Sequence, residues 1–363
     1  MNTLVYQVSC LWEQETQKVN FIVIPYIMKQ EEFNAFVVAE KDGTFKREIK
    51  TRTINDLPDG DLLVKVHYSS LNYKDALSAT GNKGVTRKYP HTPGIDAAGT
   101  VESSKTDKFQ PGDEVIVTSY DLGMNTDGGF GQYISVPAKW AVRLPDGLSM
   151  KEAMILGTAG LTAGMSVLRL AETIKPGDGE IIVSGATGGV GSSAISILKK
   201  LGYQVAAITG KESETDFLKN LGADTVILRN DFEALANKPL LKPLYAGAID
   251  TVGGGILENI IKSIYPMGVV TCCGNVASPK LEITVFPFIL RGVTLIGIDS
   301  QNYPMKYREQ VWNRLAGDWK PEQLDSALTE ITLNELNEKI DLMLHGKLKG
   351  RTLVNLQDKV PNL

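Results

Sequence analysis

Three cysteines in 363 residues are too few to build a disulfide framework. Cys10 stands alone, and Cys272 and Cys273 are neighbours in an apolar stretch where buried free thiols are common. That scarcity points to a reducing, cytoplasmic setting. Positive charge is not in excess either: the formal net charge is −4, which leaves no electrostatic footprint for nucleic acid and no basic stripe. Long apolar runs are missing. The longest near the N-terminus, Val19 to Met28, is interrupted by Asn20, Pro25 and Tyr26 and is half the length that a membrane span needs. There is no Ser-His-Asp set, spaced carboxylate pair or metal-ligand cluster on which hydrolytic chemistry could rest. What remains is a globular composition, 43% hydrophobic and 22% charged, in a chain long enough for two domains.

The chain is organised around Glu180 to Ser192, EIIVSGATGGVGS. Ile181, Ile182 and Val183 read as a short buried parallel strand. Gly185, Gly188 and Gly191 come next at intervals of three before a helical period begins. Strand, glycine turn and helix together form a dinucleotide cradle, in which bare backbone meets a pyrophosphate and the helix N-terminus supplies N–H groups. An ordinary glycine-rich βα turn is the competing reading. Val190, Ala194, Ile195, Ile197, Leu198 and Leu201 give the helix an apolar face, and Gly202 suits its left-handed cap.

A second strand, Gln204 to Ile208, runs into Thr209, Gly210 and Lys211 roughly 20 residues past the turn, where the pattern places the group that meets the adenosine ribose. No carboxylate stands there, so the site reads as selective for NADP(H). Glu212, one step further, leaves open a solvated lysine beside a solvated glutamate. The βα rhythm continues: a short helix around Phe217 to Leu221 ended by Gly222, strands Val226 to Leu228 with Arg229 at the exit, Gly247 to Val252, Val269 to Cys273, and Val293 to Ile298.

The earlier half is different. Residues 1–27 fit poorly with the rest of the chain and read as an extension outside the core, with an added surface strand or helix as the alternative. Phe36 to Val38 and Phe45 to Ile49 predict a hairpin turning at Asp42-Gly43. Leu62, Val64, Val66 and Tyr68 alternate with Leu63, Lys65 and His67, which makes His67 a strand residue with partial exposure. Ser69 to Asp75, SSLNYKD, is a polar loop with the look of a functional one. Short strands punctuated by glycine and proline, over 90–147, predict an antiparallel, partly closed β unit. After residue 300 the chain returns to that unit through helices at Arg308 to Leu315 and Leu333 to Leu344 and a final strand at Lys347 to Leu356. His345 sits at a helix end, where a dipole contact accounts for it.

The ordered set LNYKDAL, PGIDAAGTV, PGDEV, GGFGQY, LGTAGLTA and GATGGVG resembles the medium-chain dehydrogenase/reductase superfamily from Met28 to Leu356. Zinc enzymes of that superfamily carry a cysteine near the position of Asn72 and a His-Glu pair at Ile95-Asp96, and they have a four-cysteine loop. None of these is present, so the chain looks like the zinc-free quinone oxidoreductase branch. NYKDAL, GTAGLTA, AGAIDTVG, FPFILRGV, GIDS and KGRTLV resemble the NADPH-dependent acryloyl-CoA reductases within it.

The resemblance implies an α/β fold: a Rossmann doubly wound parallel sheet domain over 155–299 and a GroES-like partly closed β-barrel catalytic domain over 28–154 and 300–363. It implies NADPH as cofactor, no metal, and a homodimer formed along the sheet edge at Val293 to Ile298. The residues it assigns to the cofactor are Tyr73, Thr187, Gly188, Gly189, Val190, Thr209, Gly210, Lys211, Arg229, Asn275, Ile289, Ser300 and Arg351. Tyr73 and Asn72 are the expected catalytic residues, with Asn72 facing the substrate.

The implied reaction is hydride delivery to the β-carbon of a short 2-enoyl thioester, with donors stabilising the enolate. Lys74 and Asp75 are expected to form an ion pair or cap. Lys83, Arg87 and Lys88 are candidates for CoA phosphates, with a charged surface loop as the plainer reading. A quinone or general activated-alkene reductase is the second reading, and a non-catalytic NADPH-binding sensor the third.

Overall fold

The computed structural model describes residues 6–9, 22–25, 32–234 and 238–357. Apart from the paired segments Tyr6–Ser9 and Ile22–Pro25, the expected extension over 1–27, with Cys10, lies outside the described residues.

Six parallel strands form one sheet in the order Thr225–Leu228, Val205–Thr209, Ile181–Val183, Tyr245–Asp250, Ile264–Cys272, Thr294–Gly297. The chain starts in the middle, runs to one edge and returns to build the other, which is the doubly wound arrangement. Ile181, Ile182 and Val183 are all buried because helices cover both faces, so the strand shows no alternation. The helices Gly189–Lys200 and Thr215–Leu221 stop at Gly202 (φ 82°) and Gly222 (φ 113°), where a left-handed residue closes the last turn.

A seven-stranded, largely antiparallel sheet makes the other unit. Its spine is Leu62–Ser70, paired with Asp96–Ser104, Tyr133–Val136 and the distant Arg351–Asn355. Leu62, Val64 and Val66 are buried and Lys65 is exposed, as alternation requires. The hairpin Glu32–Lys41 and Thr44–Thr53 turns at Asp42 (φ 51°) and Gly43 (φ 74°), both left-handed, the twist that a two-residue hairpin loop needs. The unit is not wholly antiparallel: Leu328–Ile331 joins Arg351–Asn355 in parallel.

Helix Met150–Ala171 packs between the two sheets. Its Met154, Leu161, Met165 and Leu170 share one core with Ala98 and Ile116 of the first unit and Ile181 and Val183 of the second. Truncating fully buried Leu161 to alanine would cost about 2–5 kcal/mol. By length and composition alone this helix is apolar enough to cross a membrane, but 83% of that stretch is buried inside the protein, where its apolarity serves packing between the sheets. It is also broken, because Gly157 takes φ 53° and ψ −156° in its middle.

A second crossing is made after Thr294–Gly297. There Arg308, buried on helix Met305–Ala316, donates from Nε to Tyr303 O, from both terminal nitrogens to Thr118 O, Thr118 Oγ1, Ser300 O and Gln301 O, and stacks 4.3 Å over the Tyr120 ring.

Candidate active site

The glycine turn lies just past Ile181–Val183 at the C-terminal end of the parallel sheet, where open α/β sheets bind ligands. A Cβ on Gly191 would lie 2.4 Å from Gly185 O, so only glycine lets the helix start this close to the strand. Gly188 is exposed, and no side chain caps helix Gly189–Lys200. The N–H groups of its first turn are therefore available to an anion. Thr187 accepts at its carbonyl from Gly350 N at 3.1 Å, which brings the loop before the final strand onto the turn. Val190 packs against the shared core.

Thr209, Gly210 and Lys211 end the neighbouring strand as expected. Thr209 is buried, and its hydroxyl accepts from Lys211 N at 3.0 Å. Arg229 opens the short helix Arg229–Glu233, and a Cβ on Gly210 would lie only 2.5 Å from its guanidinium. The cation thus rests on bare backbone beside Lys211, whose Nζ donates to Leu348 O at 3.3 Å. Neither Lys211 nor Arg229 is ion-paired with a carboxylate among the described residues. Glu212 is exposed in the next turn. Asn275 and Ser300 lie beyond the ends of strands Ile264–Cys272 and Thr294–Gly297, on the same side of the sheet as the glycine turn. Ile289 stands apart on helix Phe286–Arg291 and is 67% exposed.

The polar loop becomes the start of helix Tyr73–Ala79, with Asn72 at its N-cap. Asp75 is fully buried and accepts from Asn72 N at 2.8 Å, Ile95 N at 2.8 Å and Gly94 N at 3.2 Å. Burial and the nearby Asp96 carboxylate push its pKa up to about 7, against the lowering pull of the Asn72 and Ile95 donors. It is a cap and not half of an ion pair: Lys74 instead donates to Gln301 Oε1 at 2.7 Å. Tyr73, first in the helix, is 45% exposed, and no hydrogen bond holds its hydroxyl among the described residues.

Asn72 requires a correction. It does not offer its amide to a substrate, because Nδ2 donates to Asp96 Oδ2 at 2.7 Å and to Ser70 O at 3.2 Å, while Oδ1 accepts from Arg351 at 3.3 Å. Both amide hydrogens are committed. Arg351, expected at the cofactor, is buried and also donates to Ser70 Oγ at 2.9 Å and Ile155 O at 2.8 Å. Its guanidinium nevertheless borders the glycine turn, since a Cβ on Gly189 would lie 2.9 Å from it.

Asp96 is the acceptor at the centre. Besides Asn72 it accepts from Ser70 Oγ at 2.6 Å, Thr158 N at 2.9 Å and Thr158 Oγ1 at 2.6 Å. Thr158 N is free for this because the break at Gly157 starts a new helix there, and Asp96 caps it from another strand. Asp96 enters the sequence analysis only as the place of a zinc enzyme's glutamate, and Ser70 and Thr158 not at all as site residues; the polar serine pair at the end of an alternating strand and the glycine-threonine pair in an apolar run were the available signals.

Other candidates fall elsewhere. Lys83 is ion-paired with Glu40 at 2.6 Å and lies over the Phe45 and Tyr89 rings, so it is spent within its own unit; Arg87 and Lys88 are exposed. His67 is half-buried against Thr100, with its pKa lowered by burial, and His345 meets Asp341 O at 2.7 Å at a helix end. Cys272 and Cys273 are free, and burial pushes the Cys273 thiol up to about 12. No three His, Cys, Asp or Glu side chains converge as a metal site among the described residues.

Comparison with known proteins fits this arrangement. Residues 58–146 match the alcohol dehydrogenase GroES-like domain, and residues 189–317 match a family described as zinc-binding dehydrogenase. The chain is 46% identical to the putative quinone oxidoreductase YhfP of Bacillus subtilis, over 89% of this chain and 99% of that one. It is 43% identical to the probable acrylyl-CoA reductase AcuI of Escherichia coli, over 89% and 99%. The yhdH oxidoreductase of Salmonella enterica, solved in complex with NADP, superposes with a TM-score of 0.87 at 44% identity, over 89% of this chain and 100% of that one. The chain belongs to the medium-chain dehydrogenase/reductase superfamily, in its quinone oxidoreductase-like branch.

Proposed function

We propose that this protein reduces the α,β double bond of a short 2-enoyl thioester, of which acryloyl-CoA is the type, using NADPH and no metal. The observation that carries the reading is the cationic corner of Lys211 and Arg229 on bare Gly210, set beside an uncapped glycine turn, in a chain 43% identical to a probable acrylyl-CoA reductase. The turn suits a pyrophosphate, and the corner suits a 2′-phosphate that a carboxylate would repel. When bound, NADPH supplies the hydride: acryloyl-CoA, NADPH and one proton give propanoyl-CoA and NADP+, with the hydride on the β-carbon and the proton on the α-carbon.

The chain's own work is then to hold and polarise. Thr187, Gly188, Gly189 and Val190 offer backbone to the phosphates, and Thr209, Lys211 and Arg229 hold the adenosine end. Asn275, Ser300 and Ile289 are proposed along the remainder of the cofactor. Tyr73 is the exposed hydroxyl that meets cofactor or substrate, and Asn72 acts one step behind it by fixing the loop. Arg351 acts on the phosphates from beneath the turn. The two sheets support a catalytic domain over 28–154 and 300–363 and a nucleotide domain over 155–299.

Reduction of quinones or other activated alkenes in the same cleft is the second reading, favoured by the likeness to YhfP, which is named a putative quinone oxidoreductase. Oxidation of NADPH and NADH, monitored with acryloyl-CoA, crotonyl-CoA and a benzoquinone in parallel, separates the two. Turnover of the quinone alone would replace the first reading with the second, and tight NADPH binding with no turnover would leave a sensor.

A homodimer in a reducing, cytoplasmic setting completes the proposal. Among the described residues strand Thr294–Gly297 is an unpaired edge of the parallel sheet, and Val285, Phe286 and Leu290, on the segment leading into it, are exposed. An apolar sheet edge of this kind is a natural self-pairing surface.

A further inference from the structure

Arg351 is a buried cation with no carboxylate within ion-pair distance among the described residues, and such a charge needs a counter-ion or dense hydrogen bonding. Its compensation arrives indirectly, along two arms. Arg351 donates to Ser70 Oγ at 2.9 Å, and Ser70 Oγ donates onward to Asp96 Oδ2 at 2.6 Å. Arg351 also donates to Asn72 Oδ1 at 3.3 Å, and Asn72 Nδ2 donates onward to the same Asp96 oxygen at 2.7 Å. In each arm a neutral group receives from the cation and gives to the anion, an order in which each bond polarises the next. Two glycines make room for it. A Cβ on Gly157 would lie 2.6 Å from Asp96 Oδ2, and one on Gly189 would lie 2.9 Å from Arg351.

Resting on the reductase reading above, we infer that Asp96 is a positioning residue for hydride transfer: through Ser70 and Asn72 it holds Arg351 under the phosphate turn and holds the Asn72-Tyr73 corner in fixed register with that turn. Asp96 touches neither substrate nor cofactor. Its two remaining donors, both from Thr158, fasten the carboxylate to the helix that packs between the sheets, so the anchor is referenced to both units. Loss of its charge leaves Arg351 uncompensated and Asn72 free to turn.

Asp96→Asn keeps the shape and removes the charge. The NADPH dissociation constant, read from nucleotide fluorescence without any alkene, should rise about tenfold, and kcat at saturating NADPH and acryloyl-CoA should fall about a hundredfold, as misplacement of about 1 Å does. KM for acryloyl-CoA should change little. The double variant Asp96→Asn, Asn72→Ala should lose no more than the worse single one, because both act through one bridge. Thr158→Val should lose part of the rate and Thr158→Ser should regain it, which keeps the test open should Asp96→Asn fail to fold. A lowered melting temperature with both constants within about twofold of wild type, or losses that multiply in the double variant, would overturn the assignment. The dissociation constant is read with no substrate present, so a wild-type protein inert toward acryloyl-CoA would sink the reductase reading while leaving the Asp96 result to stand or fall alone.

Discussion

Arg229 lies directly over Gly210: a Cβ on that glycine would come within 2.5 Å of its guanidinium, although the two residues leave different strands of the sheet. The contact makes the cation's position depend on the absence of a side chain. Gly210→Asp should therefore act twice, displacing Arg229 and adding a carboxylate at the ribose, and should turn the preference from NADPH toward NADH. Lys211→Ala and Arg229→Ala should each reduce the NADPH/NADH ratio of kcat/KM by roughly tenfold, the worth of one charge-assisted hydrogen bond. Steady-state rates with both nucleotides check this, and an unchanged ratio would remove the two cations from the site.

Gly157→Ala should destabilise the protein by about 2–4 kcal/mol, because the residue needs left-handed φ and its Cβ would sit within 2.7 Å of Ser70, Asp96 and Arg351 together. Urea unfolding measures it. A loss below about 0.5 kcal/mol would mean that the break in the helix relaxes freely.

Asp75 sets a pH dependence whose sign runs against that of most carboxylates. Its folded pKa, raised to about 7 from the ordinary 3.8, means that the native state holds a proton that the unfolded chain has released. Stability from this group is therefore full below the unfolded value and is lost as pH rises through about 7, at up to about 1.4 kcal/mol per unit. The difference in urea midpoint between wild type and Asp75→Asn, taken from pH 4.5 to 8, should shift against wild type up to about pH 7 and then level. A flat difference would place the charge elsewhere.

Leu290→Glu should weaken the proposed dimer. The side chain is 62% exposed next to the open sheet edge, and burying a lone carboxylate in a self-pairing surface is costly. Light scattering should show a shift from dimer to monomer at micromolar protein. Wild type that scatters as a monomer would dispose of the interface altogether.

Much of the nucleotide unit is legible in the sequence because its determinants are local. Gly185, Gly188 and Gly191, the caps at Gly202 and Gly222, and the Asp42-Gly43 turn all act within a few residues of themselves. Some strand ends moved by only a residue or two, but Val269 to Cys273 lengthened to Ile264–Cys272, Phe36 to Val38 grew to Glu32–Lys41, and Lys347 to Leu356 narrowed to Arg351–Asn355 once Gly346 and Gly350 turned left-handed. What could not be read depends on register between distant segments. Arg351 reaches Asn72 only because Leu353 pairs with Ser70, and nothing local to either announces that pairing. The apolar run through LGTAGLTA likewise hides the break at Gly157, since alternation of small residues looks the same in a continuous helix. Asn72 is expected at the substrate because it stands where zinc relatives carry a ligand, and the sequence does not show that Asp96 and Arg351, which hold its amide, arrive from other strands.

Arg308 fastens the chain to the β unit where it returns after Thr294–Gly297. Lifting that segment off the barrel would strip a buried cation of two acceptors, the carbonyl and hydroxyl of Thr118, and leave it only the three carbonyls of its own 300–303 stretch. The same stretch reaches the helix that begins at Tyr73, because Lys74 donates to Gln301 Oε1 at 2.7 Å, so one buried guanidinium steadies both the returning chain and the footing of that exposed tyrosine.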